Sequence, residues 1–208
     1  MKKLLMAAAI VAAAGTPALA LGPVDIDLGV VYWVSETEDD TEAVDSEAPG
    51  GFVDLGFGDH WVVGASYYKA DPDGGEGIDF TNVSVKYKFI SASRNNFFAL
   101  GAGVEQLGIA DDSSTSARVF AEGRVSVKIV YFYARAAYLP ALGDIDTGVG
   151  TFKGDTGTDF DAGIGIKPLP FFYIYAGYTD KTRTFELPLA GDVDLKVKGP
   201  YAGVGFNF

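Results

Sequence analysis

Few residues in this 208-residue chain can carry chemistry. There is one histidine, His60, and there is no cysteine, which excludes disulfides, thiolate metal sites and cysteine nucleophiles. No Gly-x-Ser-x-Gly, His-Glu-x-x-His or Walker pattern occurs. The stretch Gly148-Val149-Gly150-Thr151-Phe152-Lys153-Gly154 has the wrong spacing for a dinucleotide fingerprint. His60 stands between Asp59 and Trp61 in a short turn sequence, where an imidazole reads as an interfacial residue before it reads as a general base. Carboxylates alone could catalyse only as a pair whose environments push their pKa values apart, which sequence does not reveal. No catalytic set, cofactor or metal centre is expected.

Two charged constellations remain. Glu36, Glu38, Asp39, Asp40, Glu42, Asp45 and Glu47 crowd residues 35–50 with no basic residue among them. Such density calls for solvation or for bridging by divalent cations such as Ca²⁺ or Mg²⁺, which are the partners expected there. Asp71-Pro72-Asp73-Gly74-Gly75-Glu76 starts like a calcium loop, but Gly75 replaces a carboxylate and Glu76 takes the glycine position. The second constellation is a set of charges at alternate positions: Glu105, Arg118, Glu122, Arg124 and Arg135 as its centre, with Asp25, Asp27, Asp54, Lys86, Lys88, Asp161 and Lys167 around it. Tyr68, Tyr133, Tyr173 and Tyr175 share this face. These side chains could select solutes in a narrow polar pore, or pair with one another to neutralise a filled interior.

The elements that must position these groups are strands. The chain is 48% hydrophobic and 13% aromatic, with 27 glycines and a net charge of −12. It can bury a core, and its acidity argues against nucleic-acid binding. Residues 1–20 have the organisation of a signal peptide: Lys2 and Lys3, the apolar run Leu4–Ala14, then Gly15, Pro17 and Ala18-Leu19-Ala20. That apolar run is too short to cross about 30 Å of hydrocarbon. Residues 21–208 then form one domain. Period-two alternation marks ten strands, at Val24–Val34, Phe52–Phe57, Trp61–Lys69, Phe80–Ile90, Phe97–Gln106, Ala117–Lys128, Tyr131–Tyr138, Asp159–Lys167, Phe171–Thr179 and within Asp192–Phe208. Eight strands is the alternative count, with Phe52–Phe57 the strand most readily merged with its neighbour. Short connections (Gly58–His60, Ser91–Asn96, Ile129-Val130, Pro168–Pro170) alternate with long ones (Ser35–Gly51, Ala70–Asp79, Leu107–Ser116, Leu139–Thr158, Asp180–Gly191). The expected fold is all-β, an up-and-down antiparallel transmembrane barrel with short turns on one side and long loops on the other.

Val83, Val85, Tyr87 and Phe89 alternate with Asn82, Ser84, Lys86 and Lys88. Small and charged residues on one face suit a confined lumen, so the apolar face would meet lipid. A soluble barrel or sandwich with the faces reversed is the alternative. Aromatic residues bracket the short turns: Phe57, Trp61, Phe89, Phe98, Phe132 and Phe172 form the expected membrane-interface girdle, with Tyr32, Trp33, Tyr67, Tyr138 and Tyr178 near the long loops.

The chain ends in Tyr201-Ala202-Gly203-Val204-Gly205-Phe206-Asn207-Phe208, an alternating strand with a terminal Phe. This resembles the last strand of bacterial outer-membrane β-barrels, and with the leader and meander the whole chain resembles the small OmpA-like and porin-like barrels. The resemblance implies a cell outer membrane location in a Gram-negative envelope and contact with outer-membrane lipid. It also implies recognition of Tyr201, Val204, Phe206 and Phe208 by the barrel assembly machinery. The function expected is non-enzymatic, structural or surface-interacting, with a largely plugged polar lumen. A narrow solute channel and a lipid- or peptide-cleaving outer-membrane enzyme are the alternatives. Outer-membrane enzymes of this size resemble one another in using a histidine near the extracellular end, and His60 falls at the other.

Overall fold

A computed structural model describes residues 24–38, 43–72, 77–93, 96–110, 112–147, 150–187 and 191–208. The proposed leader, residues 1–20, lies outside them. Eleven strands follow in chain order: β1 Val24–Glu38, β2 Ala43–Phe57, β3 Trp61–Pro72, β4 Ile78–Ser93, β5 Asn96–Ile109, β6 Asp112–Val127, β7 Val130–Leu139, β8 Ile145–Thr147, β9 Gly150–Leu169, β10 Phe172–Leu187 and β11 Gly191–Asn207. Each pairs antiparallel with its sequence neighbour, except that β8 pairs only with β9 and the ring passes from β7 directly to β9. β11 closes on β1, with Leu28 opposite Phe206 and Val30 opposite Val204. The result is a closed ten-stranded up-and-down barrel in which every strand of the ring is paired on both sides, while β8 is paired on one. Phe208 and Ile26 seal the seam with reciprocal backbone hydrogen bonds of 2.8 and 3.1 Å.

Ten strands are present, and the eight-strand alternative fails because β2 is a full 15-residue strand rather than the fragment Phe52–Phe57. The long loops are corrected as well. Residues 35–38 and 43–50 continue β1 and β2, so most of the acidic segment is strand: Glu36 and Asp45 are register partners exposed on the outer face, and Ser35 and Ser46 are hydrogen-bonded to each other inside. Residues 39–42 lie outside the described residues, as do 73–76 of the calcium-like stretch. Leu107–Ser116 is almost all strand too.

The reason is an inversion of polarity along the barrel. Near the short turns the outer face is apolar (Val83, Val85, Phe98, Leu100, Ile164, Ile174) and the inner face polar. Further up, the outer face carries Glu36, Asp45 and Glu47, and the inner face is an apolar cluster of Trp33, Ala48, Ala70, Ile78, Phe80, Leu107, Leu139, Phe185 and Val197. A membrane-crossing strand needs about 9–11 residues. The 20 residues of β9 and 17 of β11 exceed that, and the surplus carries the pattern of a soluble barrel.

Glycines on the inner face give room to aromatic rings of the next strand. A Cβ at Gly163 or Gly165 would run into Tyr133 or Tyr131, and one at Gly203 or Gly205 into Tyr175 or Tyr173. Rings lying over bare backbone narrow the lumen.

Candidate functional site

Three layers of side chains cross the lumen. The lowest, nearest the short turns, centres on Lys86, whose Nζ lies 2.8 Å from Asp54 Oδ2 and 3.0 Å from both oxygens of Glu122. Arg124 reaches across the barrel to Asp27, 3.8 Å away, and Tyr173 donates a hydrogen bond to the same Asp27. Phe97 lies beneath this layer with Lys88 and Arg124 over its ring, 5.0 and 5.7 Å from the centroid. In the middle layer Tyr201 donates to Asp161 at 2.8 Å, and its hydroxyl is 2.6 Å from that of Tyr133. Arg135 stacks on Phe120 at 4.3 Å.

The uppermost layer is the most buried. Arg183, 1% exposed, donates from Nε and Nη2 to Glu105 Oε1 at 2.8 and 2.5 Å. Its Nη1 lies 2.8 Å from Asp159. Asp159 also receives Arg118 at 2.6 Å and Lys181 at 3.3 Å. Above this layer lies the apolar cluster, joined by Leu142 and Ile145 from the segment between β7 and β9. Cations and carboxylates so dry are held because each has a partner, and removing one strands the other.

All five charges expected at the centre of the lumen point inward, but they do not pair with one another. Glu105 belongs to Arg183, Arg118 to Asp159, Glu122 to Lys86 and Arg124 to Asp27, while Arg135 makes no ion pair among the described residues. Arg183 and Lys181 escaped notice because Asp180–Gly191 looked like a loop. The alternation Thr179, Lys181, Arg183, Phe185, all buried, was the signal that strand and lumen continue.

Trp61, Phe89, Phe98 and Phe132 are exposed on the outer face, and Phe57 and Phe172 are half-buried. Their neighbours Phe97, Tyr131 and Tyr173 turn inward, as does Trp33, which is 1% exposed. Thus only alternate aromatics beside the turns face out. On β11, Tyr201 is inward and Val204, Phe206 and Phe208 are outward, with Phe206 against Phe172, centroids 5.4 Å apart. His60 is exposed in the β2–β3 turn. Its Nδ1 is 2.8 Å from the carbonyl oxygen of Lys88, and its ring stacks on Tyr87. Among the described residues no group of three or more His, Asp or Glu is placed to hold a metal ion.

The outer membrane protease OmpT from Escherichia coli superposes on this chain with a TM-score of 0.60 at 9% identity, over 91% of this chain and 98% of that one. The fold is that of the bacterial outer-membrane β-barrels. Neisserial surface protein A (NspA) matches at 13% identity with a TM-score of 0.44, over 89% of this chain and 97% of that one. The N-terminal β-barrel domain of Pseudomonas aeruginosa OprF matches at 14% and 0.35, over 88% and 97%. No protein-family model and no curated protein matches the chain. In barrels of this fold an outer apolar belt is the lipid-facing surface, and here such a belt lies below an acidic upper collar. In that collar Lys198 of β11 donates to Glu38 of β1, which holds the Glu38 carboxyl below its ordinary range and raises the Lys198 ammonium.

Proposed function

We propose that this protein is a non-enzymatic barrel of the outer membrane whose lumen is closed, so that it serves a structural or surface-interacting role and is not a conduit. One observation carries this reading: the Arg183–Glu105–Asp159–Arg118–Lys181 layer spans the lumen directly beneath an apolar cap. A hydrated solute would have to break dry ion pairs and then cross a hydrophobic constriction. Residues 1–20 direct export, the outward Trp61, Phe89, Phe98 and Phe132 anchor the short-turn interface, and Phe206 and Phe208 present the strand that the assembly machinery grips. The position of His60 supports the non-enzymatic reading, since it is tied to a backbone carbonyl at the short-turn end. Proteoliposomes carrying the refolded protein should not swell in an isotonic solution of a small sugar. Swelling at the rate of an open porin would overturn the proposal.

A further inference from the structure

Four N–H donors that line the lumen have no acceptor: Trp33 Nε1 and the Nε atoms of Arg118, Arg124 and Arg135. All four residues border one cavity of about 160 Å³ between the lowest and uppermost layers. Among the fully buried side-chain atoms of that wall, the one acceptor without a hydrogen bond, Asp159 Oδ1, lies 2.8 Å from Arg183 Nη1 and is neutralised by it. Arginine and indole nitrogens can only donate. Of the five cations that line it, Arg135 is the one without an ion pair among the described residues: Lys86 is held by Asp54 and Glu122, Arg118 and Lys181 by Asp159, and Arg124 by Asp27. The Arg135 guanidinium lies over the Phe120 ring, 4.3 Å from its centroid, and its donor fork suits a planar two-oxygen group.

The remainder of the wall suits an organic body. Phe52 and Tyr175 meet edge to face at 6.3 Å, beside Val31 and Tyr68. A cavity of about 150 Å³ is known to accept a benzene ring. The upper side is shut by the ion-pair layer and apolar cap. Below, a second cavity of about 40 Å³ shares Asp54, Lys86, Glu122 and Arg124 with the first and adds Asp25 and Asp27. Entry is from the short-turn mouth, past the long 3.8 Å contact of Arg124 with Asp27.

We propose that this cavity binds a small organic monocarboxylate, its carboxylate on Arg135 and a body no larger than one ring against Phe52 and Tyr175. The site goes beyond the closed-barrel function, because a lumen shut at one end can bind a solute without passing it. The test is a ¹⁹F NMR titration of 4-fluorobenzoate against the barrel refolded in detergent, with folding of every variant checked by heat-modifiable migration on a gel. Saturable binding is expected with the folded protein and none with the boiled one. Arg135→Gln should weaken it by roughly tenfold or more, the scale of one charge-assisted hydrogen bond, whereas Lys198→Gln should leave it unchanged. The Trp33 indole N–H resonance should shift on titration of the wild type, a readout independent of any variant. Absence of saturable binding, full affinity in Arg135→Gln, equal displacement by inorganic phosphate, or an unmoved Trp33 resonance would each overturn the proposal.

Discussion

Replacing Arg183 by Met should destabilise the barrel far more than replacing Arg183 and Glu105 together. Both side chains of the pair are 1% exposed, and Glu105 Oε1 accepts two hydrogen bonds from Arg183. No other described residue hydrogen-bonds the Glu105 carboxylate, whose Oε2 is already without a partner. Arg183→Met therefore leaves a dry, unpaired carboxylate, a loss of about 3–5 kcal/mol. Asp159 is less affected, since Arg118 at 2.6 Å and Lys181 at 3.3 Å remain. Adding Glu105→Met removes the stranded charge and substitutes an adaptable apolar side chain next to Phe80 and Leu107. The double variant should recover at least about 2 kcal/mol of the single variant's loss, a coupling on the scale found between contacting residues. Urea unfolding in detergent micelles, followed by tryptophan fluorescence and analysed by linear extrapolation, measures all three proteins. A single-variant loss under about 1 kcal/mol, or a double variant no more stable than the single, would refute the idea that the upper layer is dry and mutually dependent.

Two further outcomes probe other parts of the barrel. Gly205→Ala places a Cβ into the ring of Tyr173 on the neighbouring strand and should lower the unfolding midpoint by the equivalent of about 1–3 kcal/mol; an unchanged midpoint would mean that the ring does not lie over the glycine. In the upper collar the Glu38 carboxyl is depressed by its hydrogen bond from Lys198, so its contribution is present above the ordinary value of 4.5 and is lost as pH falls through the lower folded value. A carboxyl-carbon NMR titration should give Glu38 a midpoint below 4.5, moved upward by Lys198→Gln; a normal midpoint in the wild type would contradict the pairing.

Along the outer apolar belt the fold was legible. Lipid forces apolar residues to every second position, so the segment around Val83 and Val85 and the one around Ile164 and Ile166 declare themselves as strands with a lumen face. Above the belt the same backbone carries Glu36 and Asp45 outward and Ser35, Ser46 and Ala48 inward. Periodicity persists there but its sign reverses, and acidic, glycine- and proline-bearing strands then resemble loops. The inward charges Glu105, Arg118, Glu122, Arg124 and Arg135 were legible one by one from alternation. Their partners were not, because a contact such as Arg183 with Glu105 or Arg124 with Asp27 spans the lumen between strands far apart in sequence. Such contacts depend on barrel width and stagger, which alternation does not encode. The cavity at Arg135 escapes sequence reasoning for the same reason.

The closed lumen is tested most directly by single-channel recording of the refolded protein in a planar bilayer. The wild type should give no reproducible unit conductance, and neither should Arg124→Ala, because that change opens only the lowest layer while Arg183, Glu105, Asp159 and the apolar cap remain above it. A reproducible unit conductance in the wild type, altered in size by Arg124→Ala, would contradict the closed barrel and make the lumen a channel.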